Sequence, residues 1–251
     1  MVTPRIGSVS YLNALPLTCG IEDQVVFTTP ARLAEMLRRG ELDAALVSST
    51  EALFNDGYDV LDGIAIASRG PVKSVFLAHR VPLAEVREIF LDPASLSSVG
   101  LLRVLLAQHG LKATLRPLPD YERAADCEAV LLIGDRALDF ALAPRLHRIW
   151  DLGEAWYGLT GLPFVHAAWI LPRGVNPSKL GPLLRTARDR GLARLEEMIR
   201  ARTDYTLEFR RRYLTENVRF DLGEIEKQGL RRFAELLRQH QRQPVFDPRF
   251  V

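Results

Sequence analysis

The segment Gly7-Ser8-Val9-Ser10-Tyr11-Leu12-Asn13-Ala14-Leu15-Pro16 changes character halfway along. Its apolar lead-in, Arg5-Ile6-Gly7-Ser8-Val9, reads as a first β-strand. The strand breaks into Ser8, Ser10 and Asn13, with Tyr11 among them. Leu15-Pro16-Leu17 then suggests a helix starting near Asn13 or Pro16. A strand that runs through small polar residues into a helix delivers backbone N–H groups and hydroxyls to one edge of a sheet. That is where α/β proteins hold small anions. Ser and Asn are also ordinary helix caps, and for this segment alone the cap is the simpler reading.

The pattern recurs downstream. Val25-Val26-Phe27 reads as a second strand. Thr29 as N-cap and Pro30 in the first turn open a helix carried by Leu33, Met36 and Leu37 and stopped by Gly40. Asp43–Val47 is a buried strand that breaks into Ser48-Ser49-Thr50, followed by Glu51–Phe54 in helical register. Strands alternating with helices predict βαβ units and a mostly parallel sheet, with ligands at the carboxyl ends of the strands. Two hydroxyl-rich strand ends in that position favour a site over two unrelated caps.

Further along, Ser68, Arg69, Lys73 and Ser74 flank a Gly70-Pro71 turn between the apolar strands Val60–Ile66 and Val75–Ala78; an exposed β-turn accounts for the charges. Ser95, Ser97 and Ser98 crowd the start of an apolar helix running to Gln108. A cap needs fewer hydroxyls, and the roughly half positive charge of a helix N-terminus suits a carboxylate. Glu128–Ile133 reads as a strand ending at Gly134-Asp135-Arg136. There Asp135 fits a cap, an acid–base group or a hinge latch, the cap being simplest. In the long strand Leu162–Leu171, His166 alternates with Val165 and Ala167, so it faces a cleft or sits satisfied in the core. The helical patterns from Pro177 onward read as packing, with Tyr205–Tyr213 as a short link.

Composition narrows the function classes. The 251 residues are 47% hydrophobic and 25% charged, ordinary for a globular protein. Residues 171–251 hold 18 Lys and Arg against 11 Asp and Glu. Acids interleave with those bases and aromatic stacking platforms are missing, so solvated helix faces explain them better than nucleic acid does. Cys19 and Cys127 specify neither a disulfide framework nor a metal site. The start of the chain lacks a secretory pattern and no apolar run suits a bilayer, which reads as a cytoplasmic protein without a membrane partner. Walker A, G-x-G-x-x-G, G-x-S-x-G and H-E-x-x-H patterns are all missing, so no metal or cofactor is expected.

Six segments, in order, resemble the menaquinone-biosynthesis family that contains chorismate dehydratase of the futalosine pathway. They are Ser10–Asn13, Gly40–Val47, Ile66–Val75, Leu91–Ser98, Leu132–Leu138 and Gly161–Trp169. The resemblance covers most of residues 5–235. Ser48 departs from a frequent Pro, and Leu96-Ser97 from a frequent Arg-Thr, which removes one possible cationic contact. The resemblance implies an α/β fold of the periplasmic-binding-protein type 2 class, with two lobes around a ligand cleft joined by a two-segment hinge. Lobe 1 is expected to comprise residues 1–84 plus 163–251, and lobe 2 residues 85–162, with the hinge near 80–88 and 158–164. The implied reaction is loss of water from chorismate. A ring C–H proton leaves first, then the neighbouring hydroxyl, and the ring becomes aromatic. The side chains at the cleft motifs are poor bases. The expected route is therefore substrate-assisted: the enolpyruvyl carboxylate takes the proton and Asn13 orients it. Ser10, Tyr11, Ser48, Ser49, Ser68, Ser74, Ser95, Ser97, Ser98, Asp135 and His166 are expected around the substrate. A solute-binding receptor for a small carboxylate and the sister enzyme 1,4-dihydroxy-6-naphthoate synthase are the alternatives.

Overall fold

A computed structural model describes residues 4–92, 96–144, 146–241 and 243–251. The chain builds two five-stranded sheets. In the first, β1 (Ile6–Ser8) lies between β2 (Val25–Phe27) and β3 (Ala44–Ser48), all parallel. The later strand β10 (Phe164–Pro172) inserts antiparallel between β3 and β4 (Tyr58–Ser68). In the second, β6 (Glu88–Leu91) pairs in parallel with β7 (Thr114–Pro117) and β8 (Ala129–Ile133). There β5 (Val75–His79) runs antiparallel between β8 and β9 (Arg148–Asp151). The expected α/β alternation is present, but each sheet is mixed. The strands that carry the chain between lobes, β5 and β10, enter against the parallel run.

The helices follow from local signals. Helix α1 (Pro30–Arg38) starts as expected: the Thr29 side chain accepts the Arg32 N–H, and Pro30 fills the first turn. It ends before Gly40, whose φ of +68° suits glycine. Short α2 (Thr50–Phe54) follows β3. In the second lobe α3 (Leu96–Gln108), α4 (Gly134–Leu142) and α5 (Leu152–Thr160) cover the sheet. Then α6 (Pro177–Ala193), α7 (Leu195–Ala201), α8 (Leu207–Arg212) and α9 (Glu224–His240) return to the first. The segment read as a link, Tyr205–Tyr213, holds α8. The buried Arg210 fastens it by donating to the carbonyls of Ile199 (2.8 Å), Asp204 (2.7 Å) and Tyr205 (2.5 Å).

The sheets place the first crossover differently from the sequence-based division. Val75–His79, assigned there to the first lobe, pairs on both edges within the second sheet. All five residues are buried, so an apolar strand of this kind needs partners on both sides. The chain therefore passes between sheets at residues 69–74, and returns at 161–163. The supposed exposed turn at Gly70-Pro71 belongs to the first crossover.

Both crossovers are pinned. The buried Asp151 carboxylate accepts the backbone N–H groups of Val72 (3.1 Å) and Lys73 (2.8 Å) in the first crossover. It also accepts those of Gly153 (3.0 Å) and Glu154 (3.1 Å), capping α5. In the second crossover the Pro163 carbonyl accepts the Trp156 indole N–H at 3.2 Å. Trp156, Phe164 and Phe233 meet edge-to-face there, with centroids 4.8–5.8 Å apart. These three rings come from α5, β10 and α9, so the two lobes share one hydrophobic core.

Glycine permits that closeness. A Cβ at Gly229 in α9 would stand 2.1 Å from the Pro163 carbonyl oxygen. Gly229→Ala should therefore destabilise the fold by about 1–3 kcal/mol, several degrees in Tm. Gly158, exposed in α5 with open space around its Cα, is the contrast. Gly158→Ala should stabilise by about 0.5–1 kcal/mol. Calorimetric unfolding of the two variants checks the pair; equal Tm values would contradict the packing.

Candidate functional site

Beyond β1 the chain stays extended to Tyr11, then coils into a tight 3₁₀ turn, Leu12–Thr18. Pro16 inside that turn lacks an N–H donor and favours a short, tight helix. The Leu12 N–H is donated to Asp135 Oδ1 at the head of α4, 3.1 Å away. This contact joins the lobes and seats Asn13 in the wall between them.

The wall lines an open-mouthed cavity. From the first lobe it takes Val9, Tyr11, Asn13 and Ser48, with His166 from β10. From the crossover and second lobe it takes Ser74, Ser97, Ser98 and Gly134. The wall is apolar between these groups, with Leu46, Ile66, Val72 and Ile133. No Lys, Arg, Asp or Glu lines it among the described residues. An anion bound here is held by hydroxyls, an amide and helix N-termini. Gly134 has a φ of +61°, and a Cβ on it would stand 2.9 Å from the Tyr11 ring. The glycine thus lets Tyr11 lie against the second lobe. Tyr11 also borders an outer space lined by Ser10, Phe27, Thr28, Thr29, Asp92 and Arg136.

The expected residues divide on this geometry. Asn13, Tyr11, Ser48, Ser74, Ser97, Ser98 and His166 meet at the cavity. Ser10 faces the outer space instead. Ser49 is buried and donates to the Val165 carbonyl at 2.8 Å, a tie between β3 and β10. Ser68 sits behind His166, 2.9 Å from Nε2. Asp135 lies off the cavity wall; it makes no cap bond on α4 and acts as the interlobe latch through Leu12. Burial pushes its carboxyl pKa up, and the Leu12 N–H opposes that. Ser95 lies outside the described residues.

Two cavity groups have shifted protonation. The Tyr11 phenol is pushed up to about 12 by burial and then by the nearby Asp92 and Asp135 carboxylates, so it remains a neutral donor. Burial lowers His166 to about 3, leaving the imidazole neutral. Among the described residues, its Nδ1 is buried without a hydrogen-bond partner. Ser97 Oγ donates to the His166 carbonyl at 3.1 Å, holding the start of α3 against β10.

Sequence reasoning missed Tyr213. It is buried at the C-terminal end of α8, and its hydroxyl donates to Ser74 Oγ at 2.8 Å. Its place in a mostly charged helical segment offered no local signal, because the contact spans 139 residues. Gly134 carried a signal that went unused: a glycine at a strand-to-helix junction marks a close approach.

A family model described as menaquinone biosynthesis matches residues 4–239. The chain is 34% identical to the chorismate dehydratase of Thermus thermophilus, over 92% of this chain and 94% of that protein. Among solved structures it resembles protein AF1704 of Archaeoglobus fulgidus, with a TM-score of 0.72 and 14% identity over 94% and 97% of the two chains. It also resembles the alkanesulfonate-binding protein SsuA of Xanthomonas axonopodis pv. citri, bound to MOPS, with a TM-score of 0.70 and 16% identity over 100% and 99%. At such identities the structures bear on the fold alone, which is the two-lobed architecture of periplasmic binding proteins. The family model and the Thermus relative span nearly the whole sequence, and this chain belongs to the menaquinone biosynthesis family.

Proposed function

We propose that the chain is a chorismate dehydratase, a hydro-lyase of the cytoplasm that converts chorismate to 3-[(1-carboxyvinyl)oxy]benzoate and water. The observation that carries this reading is the uncharged, donor-lined cavity around Asn13, in a chain matched nearly end to end by the Thermus enzyme.

The chemistry suits such a wall. Chorismate enters as a dianion. Removing the ring proton pushes an electron pair toward the ring carboxylate, giving a dienolate. Expelling the neighbouring hydroxyl uses that pair to make the ring aromatic, and the proton departs with the hydroxyl as water. Neutral donors fixed before the reaction stabilise the growing charge without reorganising. Ser74, Ser98 and the start of α3 supply them.

The proton acceptor is the substrate's enolpyruvyl carboxylate, oriented by Asn13. No carboxylate or amine lines the cavity among the described residues. His166, with a conjugate-acid pKa of about 3, is no stronger a base than an ordinary carboxylate. Asn13 is buried at the wall and offers both a donor and an acceptor. A carboxyl group can therefore keep its orientation before and after it takes the proton.

Purified protein incubated with chorismate should yield the aromatic product, followed by absorbance and mass. Tight binding without conversion would favour a receptor and sink the proposal. Asn13→Ala should lower kcat by at least ~100-fold with an unchanged unfolding profile.

The His166 ring should show no titration between pH 4.5 and 8 in its NMR shifts, and kcat should show no inflection near 6.5. A folded-state value of about 3 against 6.5 means that only the unfolded chain takes up this proton in between. This histidine therefore makes stability rise with pH from about 3 to 6.5, by at most ~1.4 kcal/mol per pH unit. A flatter acid limb in His166→Gln checks that sign.

A further inference from the structure

The wall of the cavity is backed by a hydroxyl that belongs to neither sheet. After α8 the chain makes a single π-turn, Tyr213–Asn217, closed by the Val218 N–H on the Tyr213 carbonyl at 3.1 Å. Such turns insert one residue into a helix and redirect a side chain, often at functional sites. Here both ends of the turn reach the first crossover. Asn217 Nδ2 donates to the Pro71 carbonyl at 2.9 Å, and the Tyr213 hydroxyl donates to Ser74 Oγ at 2.8 Å. Tyr213 is 1% exposed and does not itself line the cavity, whereas Ser74 and Asn13 both do.

A hydroxyl has one proton and two lone pairs. Tyr213 spends its proton on Ser74. A lone pair of Ser74 is thereby occupied, and the Ser74 proton is left to point into the cavity. Burial pushes the Tyr213 phenol pKa up, and the neighbouring Ser74 and Asn13 side chains oppose that push.

We infer that Tyr213 is a positioning residue: from behind the wall, its single hydroxyl sets the proton direction of Ser74. The inference rests on the proposed function and adds what makes one of its key donors point the right way.

Tyr213→Phe removes the hydroxyl while keeping the ring, which stacks on Phe209 at 5.9 Å with the planes 7° apart. On chorismate, kcat should fall ~10–100-fold with KM within about 3-fold of wild type. Combined with Ser74→Ala, the loss should be smaller than the product of the single losses, since both act on one hydrogen-bond chain. Wild-type kcat in Tyr213→Phe, or multiplying losses, would overturn the inference.

A second readout needs no turnover. The buried Tyr213 hydroxyl donates to Ser74 Oγ, so its slowly exchanging ¹H signal should move upfield in Ser74→Ala, a variant that keeps the Tyr213 ring. An unmoved signal rejects the positioning role even if the enzyme is active. A wild-type protein that leaves chorismate intact rejects the function while the spectrum still decides the positioning.

Discussion

One carboxylate gathers four backbone amides at the point where the lobes join. Asp151 ends β9, caps α5 and holds the first crossover, so the distance between Ser74 and the second sheet is set by its two oxygens. Burying a carboxylate is costly unless its lone pairs are satisfied, and here backbone N–H groups satisfy them. Strain at Lys73, a non-glycine residue with a φ of +66°, is tolerated because its N–H is one of the four. Ser74 follows directly, which carries the constraint into the cavity wall.

The second crossover obeys the same logic with apolar means. Trp156, Phe164 and Phe233 bury the return segment, and Gly229 lets α9 touch its backbone. Leu12 with Asp135, and Tyr205 with Asp139 at 2.9 Å, tie α4 to the first lobe on the opposite side. A lobe pair held on both sides presents a pre-formed site, which suits reactions that depend on fixed dipoles.

Much of this was legible in the sequence, for identifiable reasons. Ile6–Ser8 and Ala44–Ser48 announced themselves as strands running into hydroxyls, and their carboxyl ends do meet at the cavity through Tyr11, Asn13 and Ser48. Thr29-Pro30 marked a helix start by local chemistry alone. The first crossover between the lobes was not legible, because Gly70-Pro71 has the same local signature in a hairpin as in a crossover. Ser49 and Ser68 share the composition of Ser48 and Ser74, yet Ser49, already in helical backbone ahead of α2, bonds Val165, and Ser68, at the end of β4, bonds His166. Tyr213 acts across a long sequence separation, where residue patterns carry no information, and for Asp135 the sequence left the latch as one of three readings.

Tyr11 separates the inner cavity from the outer space, and its ring rests on Gly134. The ring therefore forms part of the partition between the two spaces, and the missing Cβ of Gly134 sets how closely that partition approaches the second lobe.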